Sequence, residues 1–365
     1  MIGRMLPALA GLCAIAAVAA AGAAVAQTVP KYAVDPFWPK PLPDNQILGQ
    51  VSGIAIGERD TIWLIHRPGS LADDEKGALK DPPESRCCKP AAPVVQFGRS
   101  GRLLRAWGGP AKGYNWPKSE HGIHVDAAGN VWIAGNAKED SQILKFSPEG
   151  KFLMQIGAAG GARGSNDTGV LGQPAHMITD DEAGELYVAD GYGNRRIIVF
   201  DMMTGAYKRH WGAYGEKPTD GPLAKYDPRA PLSRSFGNPV HCVRLADDGL
   251  VYVCDRINNR IQVFKKDGDF VREFRVSPET LANGSVWDLV LSTDKRQKFI
   301  HMADGANAEI VTLLRETGAV VSRFGTPGRM AGQFKWVHNL AIDSRGTIYT
   351  AEVGTGRRAQ RFIRQ

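Results

Sequence analysis

Three observations predict an all-β chain folded as a six-bladed β-propeller. A unit of about forty residues recurs six times between residues 48 and 365, and that period belongs to propeller blades. Each unit carries short strand patterns, such as Ile197-Ile198-Val199-Phe200 and Ile261-Gln262-Val263-Phe264, which suit strands packed between blades. Glycine and proline are abundant, at 42 and 22 residues, as a turn-rich β chain requires.

The unit reads as an inner strand, a D-x-x-G turn, a second strand ending near Asp, a short polar turn and two further strands. Gly and Asp supply the hairpin turns. The first unit is VSGIAIGERDTIWLIHR with VVQFGRSGRLLRAWGG, interrupted by an insertion over 68–93. A loop that long without strand pattern is as a rule functional or disordered. The second is HGIHVDAAGNVWIAG with SQILKFSPEGKFLMQIG. The third opens at Gln173-Pro174-Ala175-His176-Met177 and continues through AGELYVADGYGNRRIIVFD and GAYKRHWG. The fourth opens at Asn238-Pro239-Val240-His241 and continues through DDGLVYVCDRINNRIQVF and GDFVREF. The fifth is SVWDLVLSTDKRQKFIHMADG with EIVTLLRETGAVVSRFG. The sixth, VHNLAIDSRGTIYTAEV with AQRFIRQ, has only three strands. In the preceding segment 27–47, the stretch Lys31 to Pro36 is the candidate for a fourth, ring-closing strand.

Residues 1–26 read as a signal peptide. Arg4 gives a positive start, Leu6 to Ala23 an apolar run, and Ala24-Val25-Ala26 a small-residue cleavage pattern. A secreted or periplasmic location is therefore expected. No second long apolar run follows, so no stable membrane insertion is expected after signal removal. The net charge of +7 comes without a basic block; it describes a solvated surface and gives no sign of a nucleic-acid partner. Nothing in the sequence sets the oligomeric state. Four cysteines remain after residue 26. Cys242 and Cys254 flank the turn Asp247-Asp248-Gly249 symmetrically and should face each other on adjacent strands, as a disulfide or as two thiols. Cys87 and Cys88 lie in the inserted loop, where a vicinal disulfide, a metal site and separate thiols all remain open.

Histidine placement carries the chemistry. His121, His176, His241 and His338, four of the eight histidines, each stand at the start of an inner strand. Inner strands line a propeller's channel, so one register places these rings at one depth. Three converging imidazoles are a zinc-type donor set. His176 is read as an additional channel ligand. Asp288 holds the related register in blade five, and Ser52 lies near it in blade one. Arg67, Arg256 and Tyr192 end second strands or follow them, and fall on the same face.

These motifs resemble a known family, peptidyl-α-hydroxyglycine α-amidating lyase, whose propeller is built from NHL-type repeats. The likeness covers most of residues 48–362. It rests on HR in blade one, HG in blade two, DGY-N-RI in blade three, H before CDR-N-RIQ in blade four and VH in blade six. The resemblance implies that His121, His241 and His338 are zinc ligands, Tyr192 the catalytic tyrosine, and Arg67 and Arg256 active-site arginines. It does not carry His176 over as a ligand. It also implies a structural calcium, held by the backbone at Ile54 and Ile123 and by a carboxylate whose position is taken here by Asn339, which keeps an oxygen and loses the charge. Trp336 replaces a methionine near the metal, and Gly193 replaces a cysteine beside the tyrosine. No copper hydroxylase domain is expected from these residues.

The implied reaction splits a carbinolamide of α-hydroxyglycine type, a small molecule or a peptide, into an amide and glyoxylate. A phenol is a poor base at neutral pH unless a cation favours its anion, so Arg67 is expected to activate Tyr192. Arg256, or Arg67 itself, is expected to hold a substrate carboxylate. Two other classes compete: a non-enzymatic propeller that binds a protein or peptide, and another propeller metallohydrolase. The second class favours carboxylate-rich calcium sites, whereas histidine points to zinc.

Overall fold

The structure, a computed structural model, describes residues 1–3 and 29–365. The expected apolar export run and its cleavage point lie outside the described residues. Among the described residues, no helix is long and apolar enough to cross a membrane.

Six four-stranded antiparallel sheets follow one another. Blade one comprises Gln50–Gly57, Thr61–Arg67, Val94–Phe97 and Leu103–Trp107; blade two, Glu120–Val125, Val131–Gly135, Gln142–Phe146 and Phe152–Gly157. Blade three comprises Pro174–Asp180, Glu185–Asp190, Arg196–Asp201 and Tyr207–Trp211; blade four, Val240–Leu245, Val251–Asp255, Arg260–Phe264 and Phe270–Arg275. Blade five comprises Asp288–Leu291, Phe299–Asp304, Glu309–Leu314 and Val320–Phe324. Blade six takes Val337–Ile342, Ile348–Glu352 and Arg358–Arg364 from the C-terminal end of the chain and Tyr32–Asp35 from the N-terminal side. First strands of successive blades touch around the ring, and that of blade six touches that of blade one. They therefore wall a central channel.

The core lies in the seams between blades. Six apolar clusters fill the six seams. In one, Trp132, Ala134 and Ile143 of blade two pack on Leu186, Val188 and Ile198 of blade three. Each such aliphatic side chain stabilises the fold by about 1.5–3 kcal/mol when fully buried. Truncating Trp132 to Ala would cost about 3–5 kcal/mol. Tight turns join the first two strands; Gly249 sits at φ +82 in the Asp247-Asp248-Gly249 turn, where a side chain is disfavoured.

In blades three and four the Asp that ends the second strand is a clip. Asp190 accepts from Arg196 Nε at 2.9 Å, Asn194 Nδ2 at 2.7 Å and Gly172 N at 2.7 Å. Asp255 does the same with Arg260, Asn258 and Gly237 at 2.7, 2.9 and 2.9 Å. Both ion pairs are fully buried. Blade five breaks the pattern: Glu309 stands opposite Asp304, where Arg196 and Arg260 stand opposite their aspartates. Burial without a guanidinium raises the Asp304 carboxyl to about 6, despite hydrogen bonds from Asn307.

Inner strands also share an irregularity. A β-bulge lies near the start of those in blades one, two, three, four and six. Its extra residue has no partner in the ladder, so its side chain is aimed differently from its neighbours. This slot holds Ser52, His121, Ala175, His241 and His338. In blade five it falls on Trp287, since Asp288 opposes Ala303 as Cys242 opposes Cys254.

Cys242 and Cys254 are bonded to each other, as are Cys87 and Cys88. The inserted loop forms helical turns at Pro68–Ser70 and Asp73–Leu79, then pairs Lys89–Pro90 with Gln46–Ile47 in parallel.

Candidate metal centre

His121, His241 and His338 occupy the bulge slots of alternate blades, two, four and six. One ring nitrogen from each lies within 4.8 Å of the others. Each ring is fixed by the slot residue of the next blade. The Nδ1 of His121 meets the Ala175 carbonyl oxygen at 2.7 Å, that of His241 meets Trp287 O at 2.5 Å, and that of His338 meets Ser52 O at 2.7 Å. A carbonyl only accepts, so each Nδ1 holds the proton and donates, and each Nε2 keeps its lone pair.

Those lone pairs converge. The Nε2 atoms of His241 and His338 are 3.2 Å apart. Tetrahedral zinc with nitrogens at 2.0–2.1 Å would set them about 3.3 Å apart. A phenolic proton cannot satisfy the whole set: Tyr192 Oη lies 3.0 Å from His121 Nε2 and 3.1 Å from His241 Nε2, but has one proton to give. Protonating the rings is disfavoured too. Burial is the largest cause holding all three well below the ordinary histidine range; the positive Arg256 adds to it in each, and Arg67 in His121 and His338. For His338 the result is about 3. Three buried neutral imidazoles facing one point fit a borderline transition metal.

The loop after Asp190 delivers Tyr192. Gly191 makes this approach feasible: a Cβ there would fall 2.0 Å from the Val240 carbonyl oxygen. The helical turn Arg256–Asn258 delivers Arg256, whose Nη1 reaches Tyr192 Oη at 3.4 Å and whose guanidinium lies 4.5 Å from the Trp287 ring centre. Its Nε has no protein partner. Arg67 differs: Nε donates to Glu120 O at 2.8 Å, Nη1 to Gln50 Oε1 at 3.0 Å and Nη2 to Asn136 Oδ1 at 3.2 Å. The guanidinium touching the phenol is thus that of Arg256, and Arg67 supplies a fixed charge further off. Trp336, 37% exposed, packs edge-on against Trp287 at 5.3 Å. A cleft of about 1020 Å³ opens beside Arg67 and Glu120, walled by Pro68, Tyr114, Trp116 and Pro117.

His176 is not part of the triangle. It stands one residue beyond the slot, opposite Ala189, and a one-residue shift in a strand turns a side chain to the other face. Its ring meets the Val243 backbone and lies near Arg244 and His124. Asp288 is displaced from the slot in the same way. Ile54 and Ile123 lie on the inner strands of blades one and two. Asn339 turns its carbonyl oxygen to His338 Nδ1 at 2.8 Å and its amide nitrogen to Asp288 at 3.0 Å. Two contributors escaped sequence reasoning: Trp287, whose slot position was visible only by aligning bulges, and the three main-chain carbonyls.

Fold and site together define an NHL-repeat propeller carrying a three-histidine centre. A family model described as NHL repeat matches residues 240–264. Mouse NHL repeat-containing protein 3 is 30% identical over 290 residues, covering 74% of this chain and 72% of that protein. The chain belongs to the NHL-repeat β-propeller family, and within it is similar to the amidating lyases. Peptidyl-glycine alpha-amidating monooxygenase B of Xenopus laevis is 26% identical over 320 residues, 84% of this chain. Peptidyl-alpha-hydroxyglycine alpha-amidating lyase 1 of Drosophila melanogaster is 25% identical over 346 residues, 88% of this chain and 58% of that protein. The chain spans 33% of the length of the Xenopus monooxygenase. Among solved structures, a streptogramin B lyase aligns with a TM-score of 0.52 at 13% identity, over 92% of this chain and 98% of that one; this likeness concerns the fold.

Proposed function

We propose that this chain is an exported zinc-dependent carbon–nitrogen lyase that cleaves an α-hydroxyglycine-type carbinolamide into a primary amide and glyoxylate. One observation carries the reading: three Nδ1-anchored histidines aim their Nε2 atoms at a common point that Tyr192 and Arg256 adjoin. His121, His241 and His338 hold the metal. Zinc held by these three neutral imidazoles would supply Lewis acidity to a substrate hydroxyl.

The remaining work falls to the chain. Tyr192 takes the proton of the substrate hydroxyl, whose O–H electrons become the second C=O bond of glyoxylate. The C–N bond breaks, its electron pair stays on nitrogen, and nitrogen gains a proton. The Arg256 guanidinium, with Nη1 3.4 Å from Tyr192 Oη, holds the phenol oxygen in place. Its otherwise unpartnered Nε offers a carboxylate a charge-assisted hydrogen bond. The cleft beside Arg67 has room for the acyl part of a small or peptide substrate. The test is elemental analysis followed by a glyoxylate-release assay on an N-acyl hydroxyglycine. Stoichiometric zinc with glyoxylate release is expected; zinc-loaded protein that releases none would overturn the reading.

A further inference from the structure

Next to the histidine triangle, the Asp288 carboxylate gathers the inner strands of three blades. It accepts from Arg244 in blade four through Nη2 at 2.7 Å and Nε at 3.3 Å. It accepts from Asn339 Nδ2 at 3.0 Å and Leu340 N at 2.8 Å in blade six, and from Leu289 N at 2.8 Å in its own blade. The Arg244 guanidinium also donates to the Leu340 carbonyl oxygen at 2.9 Å. Its side chain is 14% exposed and that of Asp288 is fully buried.

We propose that the Arg244 guanidinium is the resident cation of this level of the channel, cross-linking blades four to six through Asp288, and that the chain binds no calcium there. The calcium implied by the family resemblance does not fit these residues. Calcium takes six to eight oxygen ligands. Here the nearest carboxylate already serves five donor contacts, the Leu340 carbonyl is engaged by Arg244, and Asn339 has its oxygen turned to His338. The adjoining channel space of about 230 Å³ is lined by Ile123, His124, Ile178, Arg244 and Ala341 among others, and by no carboxylate. A second potential donor group, Cys242, Cys254 and Asp288, is committed: the sulfurs are bonded to each other and the carboxylate holds Arg244. A half-buried guanidinium also repels a dication placed beside it.

The test counts calcium and zinc in the same sample of the purified whole chain, and follows thermal unfolding of the zinc-loaded protein with and without millimolar calcium. The expected result is no bound calcium and an unchanged Tm. About one calcium per chain, or a Tm raised several degrees by calcium, would overturn the proposal. The double variant Arg244→Gln with Asn339→Asp removes the resident cation and adds a carboxylate. It should take up calcium and gain a calcium-dependent Tm; a folded double variant that takes up none also overturns the proposal. Should it fail to fold, the wild-type measurements still decide. Neither readout is lyase activity, so failure of the proposed function shows separately, as absent zinc or absent glyoxylate.

Discussion

His121 and Ala175 meet across the seam between blades two and three, where the imidazole Nδ1 donates to the alanine carbonyl oxygen at 2.7 Å. The same contact runs from His241 to Trp287 and from His338 to Ser52. Because the acceptor is main chain, ring orientation is a property of how blades pack, and no side-chain change at 175 abolishes it. Every second blade gives a histidine of the triangle and every other blade holds one in place.

His241→Ala should abolish stoichiometric metal, because two imidazoles no longer enclose the ion. His176→Ala should retain it, because that ring faces Val243 and Arg244. Metal analysis of both purified variants separates the two. Equal loss from both would mean that the triangle is not the binding site.

Tyr192→Phe should bind metal as the wild type does and lower glyoxylate release by about 10²–10⁴-fold, the usual worth of a positioned general base. Measuring metal content and turnover on one preparation checks both halves. Wild-type turnover in this variant would remove Tyr192 from the chemistry.

Asp304 should give stability a pH dependence of unusual sign. Its folded value of about 6 lies above the ordinary carboxylate value, so the folded state binds the proton more tightly. The contribution is fully present below about pH 4 and is lost as pH rises through about 6, an effect of roughly 3 kcal/mol. Asp304→Asn imitates the protonated form. The difference in urea stability between variant and wild type should therefore widen in the variant's favour from about pH 4 to pH 7; a constant difference would refute this.

Arg260→Met should destabilise blade four by about 3–5 kcal/mol, since it leaves the Asp255 carboxylate buried without its counter-ion. Changing Asp255 to Asn in the same chain should recover part of the loss. Urea unfolding of the wild type, the two single variants and the double variant measures both effects, and simple additivity would argue against the clip.

The six-fold repeat was legible because apolar strand runs survive in every unit and D-x-x-G turns in units two, three and six. The shared register of His121, His176, His241 and His338 was likewise written in their spacing, and the family resemblance singled out the three that converge. His176 misled for a definite reason: it also begins an inner strand, but a bulge consumes one residue, Ala175, before it, and no residue type announces a bulge. The carbonyls of Ser52, Ala175 and Trp287 left no trace, since every residue has one. Arg67 and Arg256 look alike in sequence. What separates them is Gln50, Asn136 and the Glu120 carbonyl, which come together around Arg67 only in three dimensions.

Tyr32–Asp35 and Arg358–Arg364 zip together as neighbours in blade six, and Gln365 N reaches Lys31 O at 2.9 Å. This clasp leaves the ring no loose margin from which to unwind. His338 sits in that same blade and leans on Ser52 in the blade across the join. Were the clasp to part, the third imidazole would swing away with it, so the chemistry at the axis depends on a strand pairing at the rim.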